Sequence, residues 1–168
     1  TFFDKQRIPN KVHQNIDKYA SEYTRYIYDD NDAEKFLLEH YGIFVANKFR
    51  NIKLGAHKAD LLRYCWLYKN GGVYMDIKTE LLAPLKDILS EGNGLYTVIS
   101  MIENTIHQAF IATPPKNPIF KKLINKLLST SNLELFVDYL EITKQFNKIL
   151  LDDYAHHPTE IKATLKAT

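Results

Sequence analysis

The sequence predicts an α/β domain in which one mixed sheet is flanked by helices. Three observations carry that class. Alternating extended segments and helical stripes succeed one another along the chain. Glycines and prolines punctuate the junctions, at Gly42, Gly55, Gly71-Gly72 and Pro114-Pro115. The 168 residues, 45% hydrophobic and 25% charged, suit one domain with a real core.

Ile8-Pro9-Asn10-Lys11-Val12-His13-Gln14 reads as a short first strand, with Pro9 near its start where a missing N–H is tolerated. Glu22 to Asp29 reads as a second extended segment. Tyr23, Arg25, Ile27 and Asp29 share one face of it, and Thr24, Tyr26 and Tyr28 the other. A helix starts at Asp30-Asn31-Asp32-Ala33-Glu34, where Asn31 and Glu34 have capping-box spacing. Phe36, Leu37 and Tyr41 form its stripe, and Gly42 is expected to stop it. Residues 43–55 fit either a short helix or a loop.

Ala56 to Lys69 is dense in apolar residues and predicts a buried helix, ended by Asn70-Gly71-Gly72. A strand follows. Val73, Met75 and Ile77 lie on one face, which packs on a helix; Tyr74, Asp76, Lys78 and Glu80 lie on the other, free for chemistry. Leu95 to Ser100 and Gln108 to Thr113 read as further strands. Asn117-Pro118 opens an amphipathic helix as N-cap and first helical residue. Leu133 to Leu151 reads as one more helix. The expected division is a domain over 1–151 and a polar tail over 152–168, the tail holding an acid-histidine cluster at Asp152, Asp153, His156 and His157.

Composition narrows the function. A net charge of +2 is too weak for a nucleic-acid reader. The single cysteine, Cys65, excludes an intrachain disulfide framework and a multi-cysteine zinc site. No apolar run reaches the length of a membrane span, and no signal-peptide pattern opens the chain. A soluble, cytoplasmic protein is the expectation. No phosphate-binding glycine loop appears, because Gly71-Gly72 ends a helix rather than opening one.

The charged residues of the central block stand out. Asp60 and Arg63, three apart on a helix, are neighbours on one face. A carboxylate accepts and a guanidinium donates, so the pair can read adjacent hydroxyls of a sugar; it can equally be a plain intrahelical ion pair. Asp76 among apolar strand residues is costly unless it faces a site, or else it caps the next turn. Lys78 can neutralise a phosphate as a point charge or simply be solvated; when protonated it has no lone pair for a metal. Glu80 can accept a metal or pair with Lys78.

The block Ala56-x-x-x-Asp60-x-x-Arg63-Tyr64 followed by Tyr68-Lys69-Asn70-Gly71-Gly72-Val73-Tyr74-Met75-Asp76 resembles the DXD-containing sugar-transferase region. That region is shared by yeast α-1,6-mannosyltransferase-like enzymes, capsular polysaccharide transferases and, more distantly, the glucosylating clostridial toxins. Residues 8–14, Tyr28-Asp29-Asp30-Asn31-Asp32 and Phe110 to Pro118 are similar to flanking pieces of the same family.

The resemblance implies a GT-A fold (a Rossmann-like mixed sheet flanked by helices) in a small or truncated version. It implies transfer of a hexose from a UDP- or GDP-sugar to a glycan or other hydroxyl acceptor, with retention and with Mn²⁺ or Mg²⁺. It places Asp60, Arg63, Tyr74 and Gln108 at the donor sugar, Val12, His13 and Gln14 at the nucleotide, and Asp76 in the sugar and metal shell. Asp76 and Lys78 are the catalytic candidates, and Asp76 with Glu80 the metal candidates. The triplet here reads Asp76-Ile77-Lys78, so the second acid is missing. That departure gives weight to the alternative of a non-catalytic sugar-nucleotide or glycan-binding module.

Overall fold

In the computed structural model, which describes residues 7–89, 94–99, 106–156 and 161–166, three helices precede any strand. They are α1 (Asn10–Tyr19), α2 (Asp30–Asn51) and α3 (Gly55–Asn70). β1 (Gly72–Met75), the short α4 (Leu85–Ile88), β2 (Leu95–Ile99) and β3 (Ile106–Thr113) follow. The chain continues through α5 (Pro118–Ser129), α6 (Asn132–Val137), α7 (Glu141–His156) and β4 (Ile161–Lys166). The sheet order is β1-β3-β2-β4. β3 is antiparallel to both of its neighbours, and β4 runs parallel to β2. The class is mixed α/β, with a smaller sheet than the sequence pattern promises.

The sheet is smaller because two expected strands are not strands. Residues 10–14 of the expected first strand lie in α1 instead, and Ile8 and Pro9 lead into it. Ile16 and Tyr19 recur at helical spacing and pack inward against Ala20, Leu81 and Tyr96. Pro9 immediately precedes the first turn, where its missing N–H removes no helical bond. Asn15 fastens α1 to the loop after β1. Its Nδ2 donates to the Leu81 carbonyl and its Oδ1 accepts from the Leu81 N–H, both at 2.9 Å. Residues 22–29 run extended but join no strand. Their rings pack on α3 instead: Tyr26 and Tyr28 each lie 5.1 Å from the Trp66 ring.

The capping box of α2 is shifted from the expected pair. Asp29 Oδ1 accepts from the Asp32 N–H at 2.9 Å, and Asp32 Oδ2 accepts from the Asp29 N–H at 3.2 Å. Glu34 pairs with Arg50 at 2.6 Å. Gly42 kinks the helix at φ 81° without ending it. Val45, Ala46 and Phe49 continue the buried stripe beyond the kink, so packing carries the helix on to Asn51.

α3 matches its expected span to within one residue at each end. Gly71, at φ 66°, stops it, and its N–H closes on the Leu67 carbonyl at 2.9 Å. A β-carbon at Gly71 would meet Pro115 N at 2.5 Å, so the Pro114-Pro115 turn presses directly on this glycine. β1 ends five residues short of the expected alternation, which runs to Glu80. Its ladder closes at Met75 opposite Phe110, and the Asp76 N–H still reaches the Ala109 carbonyl at 2.8 Å. Thr79 N–H then turns back to the Asp76 carbonyl at 2.8 Å, which puts Ile77 and Lys78 in a turn.

Both faces of β1 carry packing, and Val73, Tyr74 and Met75 each stay half-buried. Tyr74 packs toward the larger core, built from α2, α3, α5, α7 and buried residues of the sheet such as Ile111. Val73 and Met75 pack toward a smaller cluster holding Ala20, Leu85 and Phe110. α5 starts as expected, with Asn117 Oδ1 accepting from the Ile119 N–H at 3.0 Å. The stretch 133–151 divides into α6 and α7, because Asp138 Oδ1 accepts from the Leu140 N–H at 3.0 Å and breaks the run. The expected 151/152 boundary falls inside α7. Ser100 and His157 lie outside the described residues, as do the side chains of Asp153 and His156.

Candidate functional site

Arg63 is the centre of the polar constellation. α3 buries it to 5% exposure, with Asp60 one turn earlier at 8%. Arg63 Nη2 pairs with Asp60 Oδ1, and Nη1 donates to the backbone carbonyl of Gln108 on β3. Its guanidinium lies 4.7 Å from the centre of the Tyr74 ring and 5.7 Å from that of Tyr64, a cation–π arrangement with both. The Tyr74 hydroxyl donates to Asp76 Oδ1 at 2.6 Å. An unbroken sequence of contacts thus runs from Asp60 through Arg63 and Tyr74 to Asp76.

Burial keeps the two tyrosines of this network protonated. Burial pushes the Tyr74 phenol up, against the pull of Arg63, and neighbouring Asp76 raises it further. The phenol therefore stays protonated and must donate to the carboxylate. Burial raises the Tyr64 phenol in the same way; its hydroxyl donates to Gln108 Oε1 at 2.6 Å. On the other side of Asp60, His57 Nδ1 approaches Oδ2 at 3.3 Å. Burial pushes the His57 imidazole down, so the ring is neutral near neutral pH.

A cavity of about 890 Å³ opens beside this network. That is the size of a cofactor or nucleotide pocket. Arg63, Tyr74, Val12 and His13 line it. So do Arg25, Trp66, the aromatic side chains of Tyr23, Tyr26 and Tyr28, and the Gly71-Gly72 backbone. No carboxylate belongs to the described lining; the wall is mainly aliphatic and aromatic, and its two arginines, Arg25 and Arg63, are each paired with an aspartate behind it, Asp17 and Asp60.

The sequence-predicted residues divide on this geometry. Arg63, Tyr74, Val12 and His13 meet at the cavity. Asp60 and Asp76 stand behind the wall, in contact with it through Arg63 and Tyr74. Gln108 faces Tyr64 and Arg63 from β3 and does not line the cavity. Gln14 is exposed on α1, away from the lining, and Lys78 and Glu80 are exposed past the end of β1. Sequence reasoning missed the Tyr23–Tyr28 segment, Trp66 and His57. Trp66 reads as core from its apolar neighbours, and only the aromatic run at 23, 26 and 28 hinted at a wall.

A divalent ion needs several hard oxygen donors to converge. Among the described residues no three His, Cys, Asp or Glu side chains group so as to hold one. One oxygen of Asp76 is engaged by Tyr74, Glu80 is exposed beyond the turn, and a lysine fills the triplet's third position. These residues do not fit a preformed ion site.

Residues 9–95 match the glycosyltransferase sugar-binding region containing a DXD motif. The chain belongs to that family. A UDP-N-acetylmuramate–L-alanine ligase of Campylobacter curvus is 42% identical over 152 residues, covering 82% of this chain and 32% of that one. Uncharacterized glycosyltransferase L373 of Acanthamoeba polyphaga mimivirus is 24% identical over 152 residues, covering 89% and 60%. Inositol phosphoceramide mannosyltransferase 1 of Schizosaccharomyces pombe is 28% identical over 148 residues, covering 83% and 44%. The chain spans about a third of the length of the ligases it matches. No solved structure matches it. The family and the two transferase-named relatives make this a glycosyltransferase-type domain. Among the described residues no helix is long and apolar enough to cross a membrane.

Proposed function

We propose that this domain transfers a hexose from a nucleoside-diphosphate sugar to a hydroxyl acceptor such as a glycan, with retention, on a reduced GT-A-like scaffold. The observation that carries the reading is the cavity: largely apolar, rich in aromatics, with Arg25 and Arg63 in its wall, free of carboxylates in its described lining, and backed by the Arg63–Tyr74–Asp76 contacts. A nucleoside diphosphate sugar offers what that wall complements. Its base is a flat ring for Tyr26, Tyr28 and Trp66, its diphosphate is anionic, and its sugar carries hydroxyls.

Transfer breaks the bond from the anomeric carbon to the diphosphate oxygen. Negative charge grows on the leaving phosphate, and a cation aimed there lowers the barrier. Lys78, on the turn directly after Asp76, supplies that charge in this reading. Arg63 donates to a sugar hydroxyl, Asp60 holds Arg63 in place, and Asp76 with Tyr74 fixes the far edge of the sugar. Families with this motif generally use Mn²⁺ or Mg²⁺, which when bound would add positive charge at the diphosphate.

The ligase relatives are named for chemistry on a UDP-linked sugar, and about two thirds of their length lies outside the match. The family match falls on sugar transfer, so the transferase reading is preferred. The second reading is a module that binds the sugar nucleotide without turning it over, favoured by Lys78 in place of an acid. A panel of UDP- and GDP-sugars, incubated with and without Mn²⁺ and a hydroxyl acceptor, decides between them. The transferase releases nucleoside diphosphate, and Asp76→Asn abolishes the release; binding with no release establishes the module. A protein that binds no sugar nucleotide excludes both.

A further inference from the structure

We infer that His57 is a positioning residue for donor recognition: its neutral imidazole holds the Asp60 carboxylate in the orientation that presents Arg63 to the cavity. The inference rests on the donor reading of that cavity. It begins from a division of labour within α3. Arg63 lines the cavity, whereas Asp60 does not. Both oxygens of Asp60 are engaged inside the protein, Oδ1 by Arg63 and Oδ2 by His57 Nδ1 at 3.3 Å.

His57 is 2% exposed. A lone pair on Nδ1 facing a carboxylate oxygen would be repelled, so the proton of the neutral ring belongs on Nδ1 and donates to Asp60. The other groups facing the ring come from α6 and the turn after it: the Leu135 backbone, the Asp138 carboxylate, and the Tyr139 ring with its centre 5.8 Å away. Nε2 makes no hydrogen bond of good geometry with any of them. The hydrogen bond of good geometry is therefore the one with Asp60, while the Leu135 backbone and the Asp138 carboxylate also face the ring.

At the other end, Arg63 Nε is buried and has no partner in the protein, although the residue borders the cavity. A buried guanidinium donor left over in this way lacks an acceptor, which a ligand seated against Arg63 would supply once the wall opens slightly to admit it. The arrangement runs His57 to Asp60 to Arg63 to ligand. Loss of the first contact frees Asp60 to rotate and lets Arg63 shift at the cavity wall.

Three variants separate positioning from mere filling of the core. His57→Asn places an amide N–H close to the original Nδ1–H. His57→Gln places its amide near Nε2. His57→Ala removes both. Dissociation constants are read by calorimetry for UDP-glucose, UDP-galactose and GDP-mannose, and for UDP and GDP alone, with Tm recorded for each protein. His57→Ala is expected to weaken the sugar nucleotide that wild type binds by about tenfold, the loss of one hydrogen bond to a charged group. The bare nucleoside diphosphate should change by less than about twofold, because its contacts avoid Arg63 Nε. His57→Asn should restore sugar-nucleotide binding, and His57→Gln should not. A ¹⁵N spectrum of wild type should show the Nδ1–H tautomer at His57.

An Nε2–H tautomer overturns the inference. So does glutamine restoring binding as well as asparagine, an alanine variant that binds like wild type, or equal losses for sugar nucleotide and bare nucleotide. If His57→Ala fails to fold, the asparagine-against-glutamine comparison decides alone. Wild type binding no member of the panel overturns the donor reading, and the inference with it.

Discussion

The Arg63 guanidinium stands 4.7 Å from the centre of the Tyr74 ring, while the Tyr74 hydroxyl donates to Asp76 at 2.6 Å. One tyrosine thus couples the charged residue of α3 to the carboxylate at the end of β1. Tyr74→Phe keeps the ring under Arg63 and removes only the hydrogen bond. A hydrogen bond to a charged acceptor contributes about 1.5–3 kcal/mol, so turnover should fall about tenfold or more. Donor binding should change much less, because the ring and Arg63 remain. Steady-state nucleotide release measures this; an unchanged rate would remove the Tyr74–Asp76 contact from the mechanism.

Arg63→Ala leaves the buried Asp60 carboxylate with His57 alone. Removing one partner of a buried ion pair typically destabilises by about 3–5 kcal/mol. Asp60→Asn keeps the volume and a hydrogen-bonding group, so its loss should be smaller. Urea denaturation of the two variants gives the ordering. Equal midpoints would mean that Asp60 is not held as a charge.

What the sequence made legible, and what it hid, follows from how local each signal is. α3 and the start of α5 were readable because their stop and cap signals, Gly71-Gly72 and Asn117-Pro118, act within a few residues. Asp60, Arg63 and Asp76 could be singled out because a charge in an apolar run is informative by itself. α1 was hidden because Val12, Ile16 and Tyr19 satisfy a helix, while the stretch read only to Gln14 looks like a strand with a proline at its edge. The end of β1 was hidden because apolar alternation continues through Ile77 although the ladder stops at Met75. The aromatic wall was hidden because Tyr26, Tyr28 and Trp66 meet only across an irregular segment. His57 carries no local signal, since its role depends on Asp60 one turn away and on α6.

Asp76→Asn preserves size and can still accept from Tyr74, but it loses the anionic charge. Nucleotide release should fall by at least about 10²-fold, the usual scale for removing a charge that acts at the transition state, with Tm nearly unchanged. Lys78→Ala should lower release by about tenfold or more without weakening donor binding in proportion. With Lys78 carrying the leaving-group charge, some release should survive excess chelator. Complete loss in chelator, with Lys78→Ala unaffected, would assign the leaving-group charge to an ion instead of the lysine.

Gly71→Ala tests the junction between α3 and the cavity rim. The backbone there is left-handed, at φ 66°, and a β-carbon would meet Pro115 N at 2.5 Å. The clash is with backbone and a proline ring, which cannot swing aside as a flexible side chain would. Left-handed strain adds about 1–2 kcal/mol. The variant should therefore lose more than about 2 kcal/mol in urea denaturation and should also loosen nucleotide binding, since Gly71, Pro114 and Pro115 all line the cavity. A loss confined to stability, with binding intact, would detach this turn from the site.

The last expectation concerns pH. Burial holds the folded His57 imidazole below its usual 6.5, with the Leu135 backbone and Asp138 opposing the shift. As pH falls through about 6.5, the unfolded chain takes up a proton that the folded chain refuses, so unfolding is favoured. The stability that His57 contributes as a neutral ring is present above the unfolded pKa and declines below it, until the folded ring also protonates. Asp60 and Arg63 on α3, and Asp138 and Tyr139 after α6, are the titratable and charged groups around it. His57→Asn cannot titrate. Comparing urea midpoints at about pH 7.5 and about pH 5.5, wild type should lose more stability on acidification than the asparagine variant does. Parallel losses in the two proteins would mean that the folded imidazole accepts its proton as readily as the unfolded one.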